Sequence, residues 1–165
     1  CEKVQWAAKA GGDCSAGAFV VCARTDARGV DGMDAAVERA KAYVASGADM
    51  IFPEGLRSEQ EFADFASAMG GTKRAGDGGE VYLLANMTEF GKTPLIPLAR
   101  FGEMGYDIVI YPVTMLRVAM GAVTRALATL RESGTVEPFL GEMQTREELY
   151  GLVGYTPGEP WEFPV

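Results

Sequence analysis

Residues that can grip a carboxylate stand at one recurring kind of place in this sequence, the point where a short apolar run gives out. Arg24, Thr25 and Asp26 follow AFVVCA (18–23), and Pro53 and Glu54 follow DMIF (49–52). Asn86, Thr88 and Glu89 follow VYLLA (81–85), inside the longer stretch LLANMTEFGKTPLIP. After YDIVIY (106–111) come Pro112 and then Arg117, about a turn into a helical pattern, with Arg146 opening a later one. A connection between elements needs only Gly, Pro or Asp, so this set asks for another explanation. Guanidinium groups fork onto carboxylates, and amide and hydroxyl groups hold the remaining oxygens. A glutamate among them can accept a hydroxyl proton or hydrogen bond. The set suits a small polycarboxylate (a di- or tricarboxylate), and composition and spacing alone reach recognition of a small anion. The same residue types also serve structure: Arg24 and Glu54 could pair with each other, Asn86 could form an Asx-turn, and Thr88 could cap a helix. Arg117 and Arg146 could lie on solvated helix faces. The Gly-Lys-Thr of GKTP lacks the upstream glycine of a phosphate-binding loop and precedes a proline, so that reading is set aside.

The elements that must position these residues read as β-α units. All four apolar runs are continuous rather than alternating, which predicts parallel strands buried on both faces. Cys22, inside the first run, reads as a small core hydrophobe. Helical patterns cover about 33–46, with Val37, Ala40 and Val44 at helical spacing and Gly47 as a stop. Others start at Ser58, where Glu61 makes a capping box, run from Leu98 to Glu103, cover about 113–131, and start at Thr145 with Glu148. A helix over about 2–10 precedes the first strand. GGTKRAGDGGE (70–80) reads as a mobile insertion loop, and 151–165 as an irregular tail whose Trp161 and Phe163 suggest docking. No internal repeat is evident at the residue level. The alternation of strand and helix predicts an α/β fold with a parallel sheet. Either a small doubly wound sheet or part of an eight-stranded barrel fits. A complete barrel takes about 250 residues, so four units are about half of one. In both architectures function gathers at the carboxyl ends of the strands.

The bulk properties narrow the partners. A chain of 165 residues supports a single domain with a real core. Lys plus Arg is 15 against 23 for Asp plus Glu, a net charge of −8, which argues against nucleic acid. No window approaches a membrane span, and the first residues lack a signal peptide's apolar run. Cys1, Cys14 and Cys22 have no metal-ligand spacing, and there is no histidine, so no Ser-His or Cys-His pair can form within these residues. The expectation is a soluble intracellular protein, with bacterial cytoplasm and mitochondrial matrix not distinguished.

Taken together, VCARTDARGVDGMDAAVERAKAY, GADMIFPEG, LLANMTEFGKTP, YPVTMLRVAMGA and MQTREELY resemble the carboxyl-terminal half of the 2-methylisocitrate lyases, within the isocitrate lyase and phosphoenolpyruvate mutase superfamily. The Ala-Arg-Thr-Asp-Ala block is superfamily-wide, whereas Asn-Met-Thr-Glu-Phe-Gly is narrower. The blocks stand in the expected order, and only the bridge from Glu54 to Asn86 is long, which the 70–80 loop accounts for. The resemblance implies part of a TIM-type (β/α)8 barrel, about four β-α units plus carboxyl-terminal helices. It implies that Arg24 binds a substrate carboxylate and Glu54 contacts the substrate near a metal. Asn86 and Thr88, with backbone help from Met87, would hold a second carboxylate, and Arg117 and Arg146 would complete the anion pocket.

The reaction implied is cleavage of 2-methylisocitrate to pyruvate and succinate, part of propionate breakdown through the methylcitrate cycle. Mg²⁺ would polarise the pyruvate-side oxygens, and a cysteine in a Cys-Gly-His loop would protonate the succinate carbanion. Here the sequence departs from the family: the metal-binding aspartates and the Cys-Gly-His loop are absent. No catalytic residue and no metal ligand is therefore assigned within these residues. Cys1 is a candidate for the cysteine, but no Gly-His follows it. The expected partners are the upstream half of the barrel and further copies in a homotetramer. Competing readings are a related oxaloacetate- or phosphonopyruvate-type enzyme acting on C–C or P–C bonds, and a non-catalytic module that binds a small anion.

Overall fold

The computed structural model describes residues 1–160. The chain forms two compact units, Cys1–Met115 and Leu116–Val165. In the first, α1 (Glu2–Ser15) leads to β1 (Cys22–Thr25), the short α2 (Ala27–Val30), α3 (Met33–Ala45) and β2 (Met50–Pro53). Then follow α4 (Glu59–Met69), β3 (Tyr82–Asn86), α5 (Leu98–Met104) and β4 (Ile108–Ile110). The four strands are all parallel and lie in the order β1-β2-β3-β4. A doubly wound sheet reverses its strand order at a switch point. This sheet does not reverse, so it is a stretch of barrel wall. Among the described residues β1 pairs only with β2 and β4 only with β3, which leaves two open edges.

A recurring Gly-x-Asp sequence, invisible as a repeat until the strands are paired, sets the register. Gly47 (φ +103°) and Gly105 (φ +89°) take left-handed backbone where α3 and α5 end, a conformation that favours glycine. Two residues on, Asp49 accepts the Val21 N–H at 2.9 Å, and Asp107 accepts the Leu83 N–H at 2.8 Å. Each aspartate thus clamps the start of the preceding strand to the start of its own. Close packing adds to the constraint at Gly47, where a Cβ would come within 2.7 Å of the Ala8 methyl.

Within the first unit, among the described residues, the helices pack on one face of the sheet. Ala23, Thr25, Ile51, Leu83 and Ala85 are buried on the helix side, against Phe62, Phe65 and Phe101 of the core. Phe62, Phe101 and Tyr106 meet edge to face, with centroids 5.1–5.6 Å apart. The Tyr106 hydroxyl donates to the Phe62 carbonyl, and burial pushes its pKa up. The opposite face carries Cys22, Arg24, Phe52, Leu84, Asn86 and Ile108, all half-buried or exposed, with Met50 at its amino end buried. The expectation of burial on both faces is therefore corrected, and with it the placing of Cys22 in the core: its thiol side is exposed. Apolar character on that face marks a surface that the helices of the first unit leave open.

The first strand is also shifted. Residues 18–21 form the approach, with the Phe19 N–H donating to the Ser15 hydroxyl, and the strand runs on through Arg24 and Thr25. Hydrophobicity locates only its first residues, because pairing opposite β2 extends it into polar ones. The fourth strand is shorter than the apolar run, since the Tyr106 N–H closes a turn onto the Phe101 carbonyl. The α4 capping box is half formed: Ser58 accepts the Glu61 N–H at 3.2 Å, but the Glu61 carboxylate turns to Arg28, at 3.0 and 2.5 Å, and to the Arg57 N–H. Residues 72–81 form a hairpin-like turn with an antiparallel Lys73–Glu80 bridge. At its base, Arg74 stacks 4.0 Å from the centre of the Tyr82 ring.

The second unit holds most of α6 (Thr114–Ser133), a 3-10 turn over Glu137–Glu142, and α7 (Arg146–Val153). Arg125 pairs with Glu142 at 3.2 Å and lies over Phe139, which is buried. Thr145 and Glu148 make the expected capping box in full. The helix runs to Val153, so the irregular segment begins at Gly154 rather than 151; Trp161 and Phe163 lie outside the described residues. No helix among the described residues is long and apolar enough to cross a membrane.

If the aspartate clamps set the register, Asp49→Ala and Asp107→Ala should each lower unfolding free energy by about 1.5–3 kcal/mol, the range for a hydrogen bond to a charged group. Asn at either position keeps an acceptor and should cost less. Urea denaturation checks both, and an unchanged midpoint for the alanine variants would refute the clamp. A pH prediction follows from Glu61. The Arg28 fork, aided by the Arg57 N–H, holds its carboxyl below its ordinary value of 4.5. A depressed folded-state pKa stabilises the fold above the ordinary value and stops doing so as pH falls through the folded one. Wild type should therefore exceed Glu61→Gln in stability at neutral pH, with the difference shrinking below about pH 4.5.

Candidate active site

Parallel pairing brings the ends of β1, β2 and β3 side by side, and the polar residues at those ends touch. Arg24 sits opposite Phe52 in the register, and its guanidinium lies 5.1 Å from the centre of that ring. Arg24 Nη1 is 3.3 Å from Glu54 Oε2. The Asn86 side-chain amide donates to the same Glu54 oxygen at 3.3 Å, and the Thr88 hydroxyl donates to Asn86 Oδ1 at 2.7 Å. Glu54 Oε1 accepts the Gly55 N–H at 3.1 Å. A continuous line of contacts thus runs from Arg24 through Glu54 and Asn86 to Thr88. The structural roles left open for these residues prove true in part, since Arg24 and Glu54 do pair. Yet Asn86 does not close a local turn; it reaches across to β2.

Arg24 is also gripped from its own strand. Its Nε and Nη2 donate to the two Asp26 oxygens at 3.0 and 2.7 Å. Those hydrogen bonds hold the Asp26 carboxyl below the usual carboxylate range, against a smaller opposing effect of partial burial. They also raise the Arg24 pKa.

Loop 88–97 is tied at both ends. The Glu89 carboxylate accepts the Thr114 hydroxyl, and Thr93 donates its hydroxyl to the Leu56 carbonyl at 2.5 Å. Phe90, at its apex, holds a φ of +62°, uncommon for a bulky residue. Met87 departs from expectation: its N–H donates to the Ile110 carbonyl at 2.8 Å, and its sulfur accepts the Ile96 N–H. Its backbone amide is engaged in the sheet and offers nothing to a carboxylate. Phe52 was missed by sequence reasoning; the signal available was its place in MIFPE, two residues before Glu54 and so on the same side of the strand.

Arg117 and Arg146 belong to the second unit, near the starts of α6 and α7. Arg146 lines a shallow hollow of about 650 Å³ with Tyr150 and Tyr155. Cys1 lies with its sulfur 3.9 Å from the Ala42 carbonyl of α3, and shares with Arg24 the wall of a hollow of about 340 Å³. Among the described residues no group of three or more His, Cys, Asp or Glu side chains could hold a metal ion. Glu54 is engaged by Arg24, Asn86 and Gly55, and Asp26 by Arg24.

Comparison with known proteins places these blocks. The model of the phosphoenolpyruvate phosphomutase family matches residues 1–131. The chain is 55% identical over 137 residues to a probable 2-methylisocitrate lyase 1 of Corynebacterium glutamicum, covering 83% of this chain and 42% of that one. It is 47% identical over 141 residues to the 2-methylisocitrate lyase of Bacillus subtilis, covering 86% and 44%. Among solved structures it resembles 2,3-dimethylmalate lyase, with a TM-score of 0.77 at 30% identity over 92% of this chain and 49% of that one. It also resembles a phosphonopyruvate hydrolase solved with oxalate and Mg²⁺, with a TM-score of 0.72 at 26% identity over 93% and 52%. The chain thus spans about half the length of the relatives it matches.

The hydroxyl of Thr88 is the end of the contact line, and its removal is a direct test of that line. Thr88→Val should cost about 0.5–1.5 kcal/mol in urea unfolding, the usual worth of one neutral hydrogen bond. It should also shift the Asn86 side-chain amide signals in NMR spectra, because the carbonyl loses a donor; unchanged signals would mean that Thr88 does not hold Asn86.

Proposed function

The chain belongs to the phosphoenolpyruvate phosphomutase family, and on that premise we propose that it supplies the carboxylate-gripping half of a lyase that cleaves 2-methylisocitrate to pyruvate and succinate. The observation that carries this reading is the line of contacts from Arg24 to Thr88 across three adjacent strand ends. Arg24 binds one substrate carboxylate through the N–H groups that Asp26 leaves free. Asn86 and Thr88 take another by turning their amide and hydroxyl donors from each other to its oxygens, while Met87 fixes the strand from which they project. Glu54 accepts a hydrogen bond from the substrate hydroxyl. Arg117 and Arg146 are the further guanidinium groups that the resemblance assigns to carboxylate binding.

In the reaction the hydroxyl loses its proton, the C–C bond beside it breaks, and the electron pair passes to the succinate carbon, which is then protonated. The base and acid for those transfers, and the ligands of Mg²⁺, come from residues beyond these. The partner supplying them is the upstream half of the barrel, paired to the open edges of β1 and β4. The protein works as a soluble homotetramer, supported by the exposed Met115, Leu116, Val118, Met120, Val123 and Leu127 of α6. Relatives named 2-methylisocitrate lyase at 47–55% identity favour this substrate over those of the 2,3-dimethylmalate or phosphonopyruvate enzymes, whose structures are 26–30% identical.

The test is cleavage of 2-methylisocitrate, followed as loss of substrate, by the complete protein with Mg²⁺, beside 2,3-dimethylmalate, oxaloacetate and phosphonopyruvate; preference for any of these three overturns the substrate assignment. Arg117→Lys keeps the charge but loses the planar fork. It should lower kcat/KM by roughly ten- to a hundred-fold, mainly through KM, with the thermal midpoint little changed.

A further inference from the structure

The Ala-Arg-Thr-Asp-Ala block contains an aspartate to which the contacts with substrate give no part. Asp26 stands at the position before the first residue of α2, where an aspartate ordinarily caps the helix with its side chain. It does not do so: no side-chain cap hydrogen bond is made there. The local turn is closed instead by Thr25, whose hydroxyl accepts the Ala27 N–H at 3.3 Å. The alternation of a strand explains the spacing. Thr25 points into the core, with 2% of its surface exposed, while Arg24 and Asp26 flank it on the exposed side.

An arginine carries five N–H groups in one plane, one on Nε and two on each terminal nitrogen. Asp26 takes the Nε edge, through Nε and Nη2. Glu54 lies beside Nη1, and Phe52 backs the flat face. What remains is the outer edge, formed by the other Nη2 proton and those of Nη1, which is itself a two-pronged donor of the shape a carboxylate fits.

We infer that Asp26 is a positioning residue: by occupying the Nε edge of the Arg24 guanidinium it aims the outer edge at the substrate carboxylate. This rests on the proposed role of Arg24 as a carboxylate ligand. The motif is then a device, with Arg24 the ligand, Thr25 the anchor and Asp26 the brace. An asparagine at position 26 would offer one acceptor where two donors point and would turn its own N–H groups toward one of them.

The experiment is a double-mutant cycle in the complete enzyme with 2-methylisocitrate. Asp26→Asn should raise KM about tenfold, the effect of one charge-assisted hydrogen bond, with kcat within about twofold and the thermal midpoint nearly unchanged. In an Arg24→Lys background, where the fork no longer exists, Asp26→Asn should change KM less than twofold. Equal effects of Asp26→Asn in both backgrounds, or none in the first, overturn the inference. A second measurement is independent of turnover. The Arg24 Nε–H resonance should exchange slowly with water in the wild type and quickly in Asp26→Asn, and equal rates overturn the brace. A wild type that fails to cleave 2-methylisocitrate counts against the proposed reaction, while this exchange measurement still decides the brace.

Discussion

Two aspartates that bind backbone rather than ligand are what the polar cluster depends on. Parallel strands can slide past one another, and each step of slippage would move a different side chain to the strand end. Asp49 and Asp107 each accept an N–H from the start of the neighbouring strand, at the end of the sheet far from the cluster. With that end pinned, Arg24 must fall opposite Phe52, and Asn86 opposite Ile110. At the start of β2 the Asp49 carbonyl also accepts the Tyr82 N–H at 3.0 Å, which sets β3 against β2, so that Glu54 lies between Arg24 and Asn86, close enough to touch both. The contacts at the carboxyl ends are consequences of clamps at the amino ends.

One-sided burial is the second organising fact. The helices bury alanines and small aliphatics on one face of the sheet, and aromatic rings behind them fill the space between helices. The other face holds Arg24 and Asn86 among apolar neighbours such as Phe52 and Leu84. A charged group placed there is partly desolvated without being enclosed, which strengthens its hydrogen bonds while leaving donors within reach of a small anion. Such a face, with strand edges that are open among the described residues, is that of a section of barrel wall.

The cluster as it stands is internally satisfied. Arg24 is matched by two carboxylates, Glu54 by three donors, and Thr88 by Asn86. In the proposed site Glu54, Asn86 and Thr88 exchange partners to take a ligand, whereas Arg24 keeps the outer edge of its guanidinium for one. The left-handed Phe90 at the apex of the tethered 88–97 loop belongs to the same economy of constraint: strain of this kind persists where the surrounding contacts over-determine it.

Sequence alone determined the kinds of element and their order, because apolar runs, helical spacing and glycine stops are local signals. It also determined which residue types gather at strand ends, and the blocks around Arg24, Glu54 and Asn86 were enough to indicate the family. It misplaced β1 and assigned Cys22 to the core, since a run of hydrophobic residues says that a strand is near but not which of its faces another layer will cover. The repeat Gly-x-Asp was present in the letters at 47–49 and 105–107, yet its meaning depended on partners 24 and 28 positions away. Tertiary structure alone decided that Asp26 forgoes capping a helix to hold Arg24, that Glu61 leaves its capping box for Arg28, and that the Met87 amide belongs to the sheet. Glu61 had a local and a distant partner within reach of its type, Asp26 chose between two local ones, and Met87 took a partner on the next strand. Only the packing of the strands and helices decided which of them came within hydrogen-bonding distance.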